Sequence, residues 1–343
     1  MSHMLALEKL VSNSKIETFF YWNKKYWNLL DANRKLIVGN FYDCRSMQEN
    51  DHVLVWAPSI KAMLQMVVLR FFYKPRLIYI LHEPYESFSA YRKGGFSIGK
   101  IIQISLISLI SYICCCVSDE IVAPSEKAFT HLKKLSRNLN KCTKINLMFE
   151  DESELCDLEL SRTYISYIGT IAKDHAFLEF INSAIYIIDN NIFPAYQILI
   201  ATKSDLPKHV VSRIAPYILN NRMVVKSGRP FTNKEINHFF QSSIVVWNAY
   251  KRSMQSGVLA KSYMFGSPVI ISENNESEFF IDGKTGVKVS SSYDAVEIAE
   301  SIRVVSKNFT KMSANVRSMF LDKFHYKSME FIFLNILKRR QND

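Results

Sequence analysis

The feature that most restricts the fold is a succession of short apolar runs without polar alternation, separated by longer stretches with helical periodicity. In the first half the runs are 36–38, 53–57 (VLVWA), 76–81 (RLIYIL), 120–123 (EIVA) and 145–148, with a weaker one at 17–22. In the second half they are 164–168 (YISYI), 196–201 (YQILIA), 222–226 (RMVVK), 243–247 (SIVVW), 268–271 (PVII) and 287–289. A strand that is apolar at nearly every position is buried on both faces, as in parallel sheets flanked by helices. Strand–helix alternation occurring twice over predicts two doubly wound α/β domains. At 343 residues the chain is also too long for one comfortable core.

The most acidic stretch, FEDESELCDLELSR over 149–162, separates the two series and reads as a linker. The expected organisation is a Rossmann-like domain over 1–150, a linker over 151–162, a second Rossmann-like domain over 163–323, and a C-terminal helix over 324–343 that packs back on the first domain. The six cysteines (44, 114, 115, 116, 142 and 156) include no CxxC pair and no zinc spacing, and three are adjacent inside an apolar run. That pattern favours free thiols in a reducing cytoplasm. Met1-Ser2-His3-Met4 reads as an expression remnant, and no secretory signal follows it.

A net charge of +11 calls for an anionic partner: nucleic acid, a phosphorylated substrate or a membrane surface. Nucleic acid is not expected, because the basic residues are scattered over both domains and no RNA-binding or zinc-finger signature is present. A Walker-type glycine run, HExxH and GxSxG are likewise missing from the sequence, which leaves nucleotide hydrolysis, metalloprotease and serine-hydrolase readings without support. From Ile101 to Val117 the sequence IIQISLISLISYICCCV has no charge and sits at the lower edge of a membrane span. The expectation is a helix buried between the sheet and its neighbours. The alternative is a helix touching the bilayer, with Tyr91, Arg92, Lys93 and Lys100 ahead of it suited to anionic headgroups.

Ligands of open parallel sheets bind beyond the carboxyl ends of the strands. Those positions hold His82-Glu83-Pro84-Tyr85, Gly169-Thr170-Ile171-Ala172-Lys173, Thr202-Lys203-Ser204, Ser227-Gly228-Arg229, and the basic turn Lys251-Arg252 that leads to Ser256-Gly257-Val258. Four of these five ends carry Lys or Arg, all in the second domain, which points to an anion bound there. A helix beginning at Gly257 would offer free N–H groups and its positive dipole end, with room for close approach at the glycine. The competing reading is that Ser256 caps the helix and Gly257 relieves a tight turn. His82 and Glu83 are either proton-transfer groups or packed polar residues. The basic loop Arg92-Lys93-Gly94-Gly95 either clamps an anionic diphosphate or is simply solvated.

Over 164–289 the sequence resembles the GT-B glycosyltransferases, specifically the family-4-like group of bacterial polysaccharide biosynthesis. YIGTIAKDHAFLEFINSA is similar to the strand and glycine turn that open that family's donor domain. QSGVLAKSYMFGSPVIISENNESEFFIDGKTGVKV is similar to its donor-site helix, Gly-x-Pro-Val strand, Glu before a turn, and Asp-Gly-x-Thr-Gly hairpin. LHEPYES and SDEIVAPSEKAF match the first half more weakly.

The resemblance implies two Rossmann-like domains facing a cleft. A nucleotide-sugar donor would lie on the C-terminal domain near Gly169, Thr170, Lys173, Lys203, Arg229, Arg252, Ser256, Gly257, Val258, Lys261 and Glu278. A lipid-linked or saccharide acceptor would lie on the N-terminal domain near Tyr85, Arg92 and Lys93, with His82 and Glu83 as the catalytic candidates. It further implies metal-independent hexosyl transfer without a cofactor, for capsule, O-antigen or exopolysaccharide synthesis at the inner face of the plasma membrane. The sequence departs from the family where members often carry two glutamates eight positions apart around the donor helix: Ser253 and Lys261 stand there. Thr170 and Ala176 replace an Arg and a Lys common after the first glycine. A second expectation therefore stays open, a catalytically silent GT-B subunit that supports an active partner.

Overall fold

The computed structural model describes residues 6–7, 9–10, 52–55, 59–81, 87–93, 95–135, 141–153, 161–252, 257–275 and 277–338. The expected strands at 17–22 and 36–38 lie outside these residues, as do His82, Glu83, Tyr85 and Ser256. The chain divides into two compact units, one made of Met1–Ser87, Ser97–Glu150 and Phe324–Asp343, the other of Phe88–Phe96 and Asp151–Lys323.

Among the described residues, unit 1 is built on a parallel sheet of four strands, β1 (His52–Val55), β2 (Arg76–Ile80), β3 (Glu120–Ala123) and β4 (Cys142–Lys144), in the order β1-β2-β3-β4. The intervening helices are α1 (Ile60–Val68), α2 (Phe88–Lys93), α3 (Ile98–Val117) and α4 (Glu126–Leu135), of which α2 belongs by its contacts to unit 2. Because side chains alternate across a strand, Leu77, Tyr79, Ile121 and Ala123 meet Met66, Leu69, Cys114, Cys115 and Leu132 on one face. Ile78, Ile80 and Val122 meet Leu7, Leu10 and the C-terminal helix Tyr326–Lys338 on the other.

Two expectations are corrected here. The strand expected at 145–148 lies instead over Cys142–Lys144. Ile145 still donates to the Ala123 carbonyl (3.1 Å), but the chain then leaves the ladder, and Phe149 bridges to His325. The apolar run is buried under the C-terminal helix rather than between strands. The 101–117 helix was expected to be buried, yet only one flank of α3 is: Ser111, Cys114 and Cys115 pack on the sheet and Ile101 is buried, while the remaining side chains are open to solvent or half-buried.

Unit 2 is a six-stranded parallel sheet of β5 (Tyr164–Ile168), β6 (Gln197–Ala201), β7 (Met223–Lys226), β8 (Ser243–Asn248), β9 (Val269–Ser272) and β10 (Gly286–Val289). All six strands coincide with the expected runs to within a residue or two, the inner four nearly all buried and the edge strands β7 and β10 half-open, each with an exposed lysine. Helices α5 (Phe177–Asp189), α6 (Lys208–Leu219), α7 (Asn233–Gln241), α8 (Gly257–Met264), α9 (Ala295–Lys307) and α10 (Phe309–Lys323) complete it. The main core packs Ile165, Tyr167, Ile198, Val245 and Trp247 against Phe180, Ile181 and Ile302 of α5 and α9.

The strand order is β10-β9-β8-β5-β6-β7. From β5 the chain steps outward through β6 and β7, then crosses back to build β8, β9 and β10 on the other side. The winding reverses between β5 and β8, so the crevice that such a sheet offers a ligand opens at the carboxyl ends of those two strands.

Candidate functional site

Gly169 ends β5 and donates its N–H to the Ala201 carbonyl (3.0 Å). Its φ of +146° is open to glycine and strained for other residues, and a Cβ there would stand 3.7 Å from Cγ2 of Val258. The strand end and the first turn of α8 therefore abut. The next carbonyl, that of Thr170, accepts from the Tyr167 hydroxyl (2.8 Å) and from Nδ1 of His175 (2.8 Å). A carbonyl offers no proton, so Nδ1 carries it. The His175 ring stacks on Tyr250 just beyond β8, with centroids 4.4 Å apart and planes 19° from parallel, and Trp247 Nε1 donates to the His175 carbonyl (3.2 Å). Burial pushes the Tyr167 phenol far above its ordinary value, so it remains a donor. The turn after β5 is thus held by side chains of β5 and of the segment that follows it, braced by β8.

Opposite that turn, the exposed Gly257 begins α8, and a Cβ added to it would meet nothing within 4 Å. The N-terminal end of a helix carries the positive end of its dipole, and room beside a glycine there suits the close approach of an anion. Asn248, at the end of β8, is buried, and its Oδ1 has no hydrogen-bond partner among the described residues, although its backbone carbonyl accepts from Asn275 Nδ2 (2.8 Å). A buried acceptor left unpaired costs about 1–3 kcal/mol, so this oxygen favours any donor that reaches it.

No protein-family profile and no curated protein matches the sequence. Solved structures do match. HepE of Anabaena, in complex with UDP and glucose, superposes with a TM-score of 0.61 at 13% identity, covering 84% of this chain and 78% of that one. TarM of S. aureus gives 0.64 at 11% identity, covering 87% of this chain and 58% of that one. The pneumococcal O-GlcNAc transferase GtfA, in complex with UDP and GlcNAc, gives 0.64 at 13% identity, again covering 87% and 58%. The fold is GT-B. At these identities the likeness is one of architecture, and this GT-B chain spans little more than half the length of TarM and GtfA.

Among the residues expected at the donor, the GT-B fold brings Gly169, Thr170, Gly257 and Val258 to the β5/β8 crevice. The cations are disposed differently from the expectation of a bare positive face. Arg252 Nε lies 3.2 Å from Oδ2 of the buried Asp174, with its guanidinium 5.6 Å from the Phe96 ring centroid. Lys251 pairs with Glu179. Arg229 forks onto Glu235, which also caps α7 through Thr232, and those contacts hold the half-buried Glu235 carboxyl down at about 2. Lys173 and Lys203 are exposed. The half-exposed pairs of Lys251 and Arg229 are worth roughly 0–1 kcal/mol, so an anionic ligand displaces them cheaply, whereas the largely buried Arg252–Asp174 pair is costlier to break.

Lys261 points inward. Its Nζ lies 2.6 Å from Glu152 Oε1 and 3.0 Å from Asn237 Oδ1, and the residue is only 8% exposed. Its ammonium ties α8 to α7 and to the segment at 151–153 rather than serving the open end of α8. Glu278 lies exposed in a turn. Arg92 and Lys93 belong to the short helix α2 rather than to the mobile loop expected, because residues 88–93 close into helical turns. Arg92 is exposed, and the turn that follows sets Gly95 against the Lys173 side chain, where a Cβ would be 3.6 Å from Cδ. Sequence reasoning missed His175, Tyr250 and Asn248. Their signal was available only as position: each falls within a few residues of a strand's carboxyl end.

Proposed function

We propose that this GT-B chain is a glycosyltransferase that takes a hexose from a nucleotide-sugar donor held by unit 2. It passes the sugar to a lipid-linked or saccharide acceptor bound through unit 1, in the building of a bacterial surface polysaccharide. The observation that carries this reading is the meeting of the Gly169 turn with the first turn of α8 at the winding reversal of the sheet. The HepE and GtfA structures, which hold UDP with glucose or GlcNAc, belong to the same fold. In the proposed reaction an acceptor hydroxyl oxygen attacks the anomeric carbon while the bond from that carbon to the diphosphate oxygen breaks. The electron pair leaves with the diphosphate, whose charge the N–H groups and dipole of α8 stabilise, aided by Lys173 and Lys203. The hydroxyl proton goes to His82 or Glu83 in an inverting transfer, or to the leaving diphosphate in a retaining one. Charge neutralisation by helix end and cations lets the transfer proceed without a metal or cofactor.

One observation favours the silent-subunit reading: Lys261 stands where related donor helices carry a glutamate, and its ammonium is engaged inside the protein. Isothermal titration with UDP, GDP, ADP, CDP and dTDP separates the two. Saturable binding of one nucleotide, followed by release of that nucleotide from its sugar conjugate, is expected for the transferase. Binding of none supports the silent subunit.

A further inference from the structure

Helices α1 and α3 pack side by side on one face of the unit 1 sheet, where Met66 and Leu69 join Cys114 and Cys115 over Leu77, Tyr79 and Ile121. Their opposite flanks therefore look outward on the same side, and both flanks are apolar. On α3, Ile98, Ile102, Leu106, Leu109 and Tyr112 follow at spacings of three and four, the repeat of one helix face, and are 54–58% exposed. On α1 and the π-helical turn that continues it (Leu69–Tyr73), Ile60, Leu64 and Val68 are 44–63% exposed, and Phe71 and Phe72 reach 69% and 78%. Ten large apolar side chains on one side of a unit are far more than solvent tolerates as scattered exposure.

The charge around this face identifies its occupant. From Ser59 to Leu81 and from Ser97 to Ser118 the sequence contains no Asp or Glu, while Lys61, Lys74 and Lys100 on these segments are exposed. The one acid met at the edge of these segments, Asp119, is paired with Arg70, so the charge left on the face is basic; an apolar face of that kind complements an anionic lipid surface, with apolar side chains entering the acyl boundary and ammonium groups meeting headgroup phosphates. We propose that the α1–α3 face docks unit 1 on the surface of an anionic bilayer. Although α3 has 20 residues and the hydropathy of a span, it lies on the membrane rather than across it. Its other flank is part of the core, with Ser111 Oγ 2.6 Å from the Tyr79 hydroxyl and Cys114 and Cys115 packed on the sheet, so crossing would strip that sheet face bare. The inference stands apart from the donor reading, since it uses unit 1 alone.

The test is flotation of the full chain with vesicles of phosphatidylcholine alone or mixed with phosphatidylglycerol, at low and high salt. Wild type is expected to float with the mixed vesicles, less with neutral ones, and to be weakened by salt. Phe72→Asp with Leu106→Asp places two carboxylates at highly exposed positions, so the melting temperature should hold while the bound fraction falls about tenfold or more. Lys61→Glu with Lys100→Glu should weaken binding severalfold at low salt only. Failure of wild type to float overturns the proposal. So does flotation unaffected by Phe72→Asp with Leu106→Asp, or binding released only by detergent, which would make α3 a span. A concentration-dependent dimer that this double variant converts to monomer, without flotation of wild type, assigns the face to a second copy instead.

Discussion

Replacing Lys261 by Met separates its structural role from ligand binding. The lysine ammonium is held by Glu152 and Asn237 with side-chain exposures of 11% for Lys261 and 15% for Glu152. Removing one partner of a fully buried pair costs roughly 3–5 kcal/mol, because the other charge is left uncompensated. Here the pair keeps some solvent, and Asn237 Nδ2 still donates to Glu152 Oε2 at 2.8 Å, so a loss of about 2–3 kcal/mol is expected. For a unit of this size that corresponds to a fall in Tm of about 5–10 °C. Adding Glu152→Gln removes the stranded charge and should restore part of the loss. The assays are thermal unfolding followed by titration of the surviving folded protein with the nucleotide that wild type binds. Affinity is expected to stay within about threefold. An unchanged Tm together with a large loss of nucleotide affinity would refute the reasoning and return Lys261 to the donor site.

Three further outcomes follow from the same geometry. Gly257→Asp meets no steric obstacle and, as an acid in the first turn of α8, should stabilise the helix by about 0.3–1 kcal/mol while lowering nucleotide affinity about a hundredfold or more; undiminished binding in titration removes the helix end from the site. Gly286→Ala places a Cβ 2.0 Å from the Val269 carbonyl oxygen at a φ of +156°, so a stability loss of roughly 3 kcal/mol or more is expected in urea unfolding. Wild-type stability in that variant would mean that the start of β10 is laid out differently. Burial of Asp151 opposes its ionisation, but Arg317 and Ser153 outweigh it and hold the carboxyl below its usual range. The stability this contributes is complete above the unfolded value of about 3.9 and is lost as pH falls toward the lower folded value. Arg317→Met should flatten that part of the pH–stability curve, and an unchanged acid limb would contradict the assignment.

The strands of unit 2 were legible because runs such as YQILIA and SIVVW have no polar side, and a sheet between two helix layers is what such runs build. The glycine turn and the start of α8 were legible for a related reason, since strand ends fix where a ligand crevice opens. The outward face of α3 was not. IIQISLISLISYICCCV is apolar around its whole circumference, so its periodicity cannot say which flank meets the sheet, and burial was the natural expectation. Nor could the sequence give Lys261 its partner, because Glu152 lies 109 residues away and meets it only through the tertiary fold. The strand ends advertised their cations plainly. What they hid was that Arg252, Lys251 and Arg229 each find a carboxylate nearby, two of these on α5 and α7 and one in the turn after β5.

Amide hydrogen exchange with and without a saturating nucleoside diphosphate tests the central claim most directly. A donor seated at the winding reversal should slow exchange in peptides covering Gly169–Lys173 and Gly257–Lys261, with little change in peptides of β6, α6 or the α1–α3 face. Protection that leaves those two segments unaffected, or that falls elsewhere in unit 2, would contradict the site.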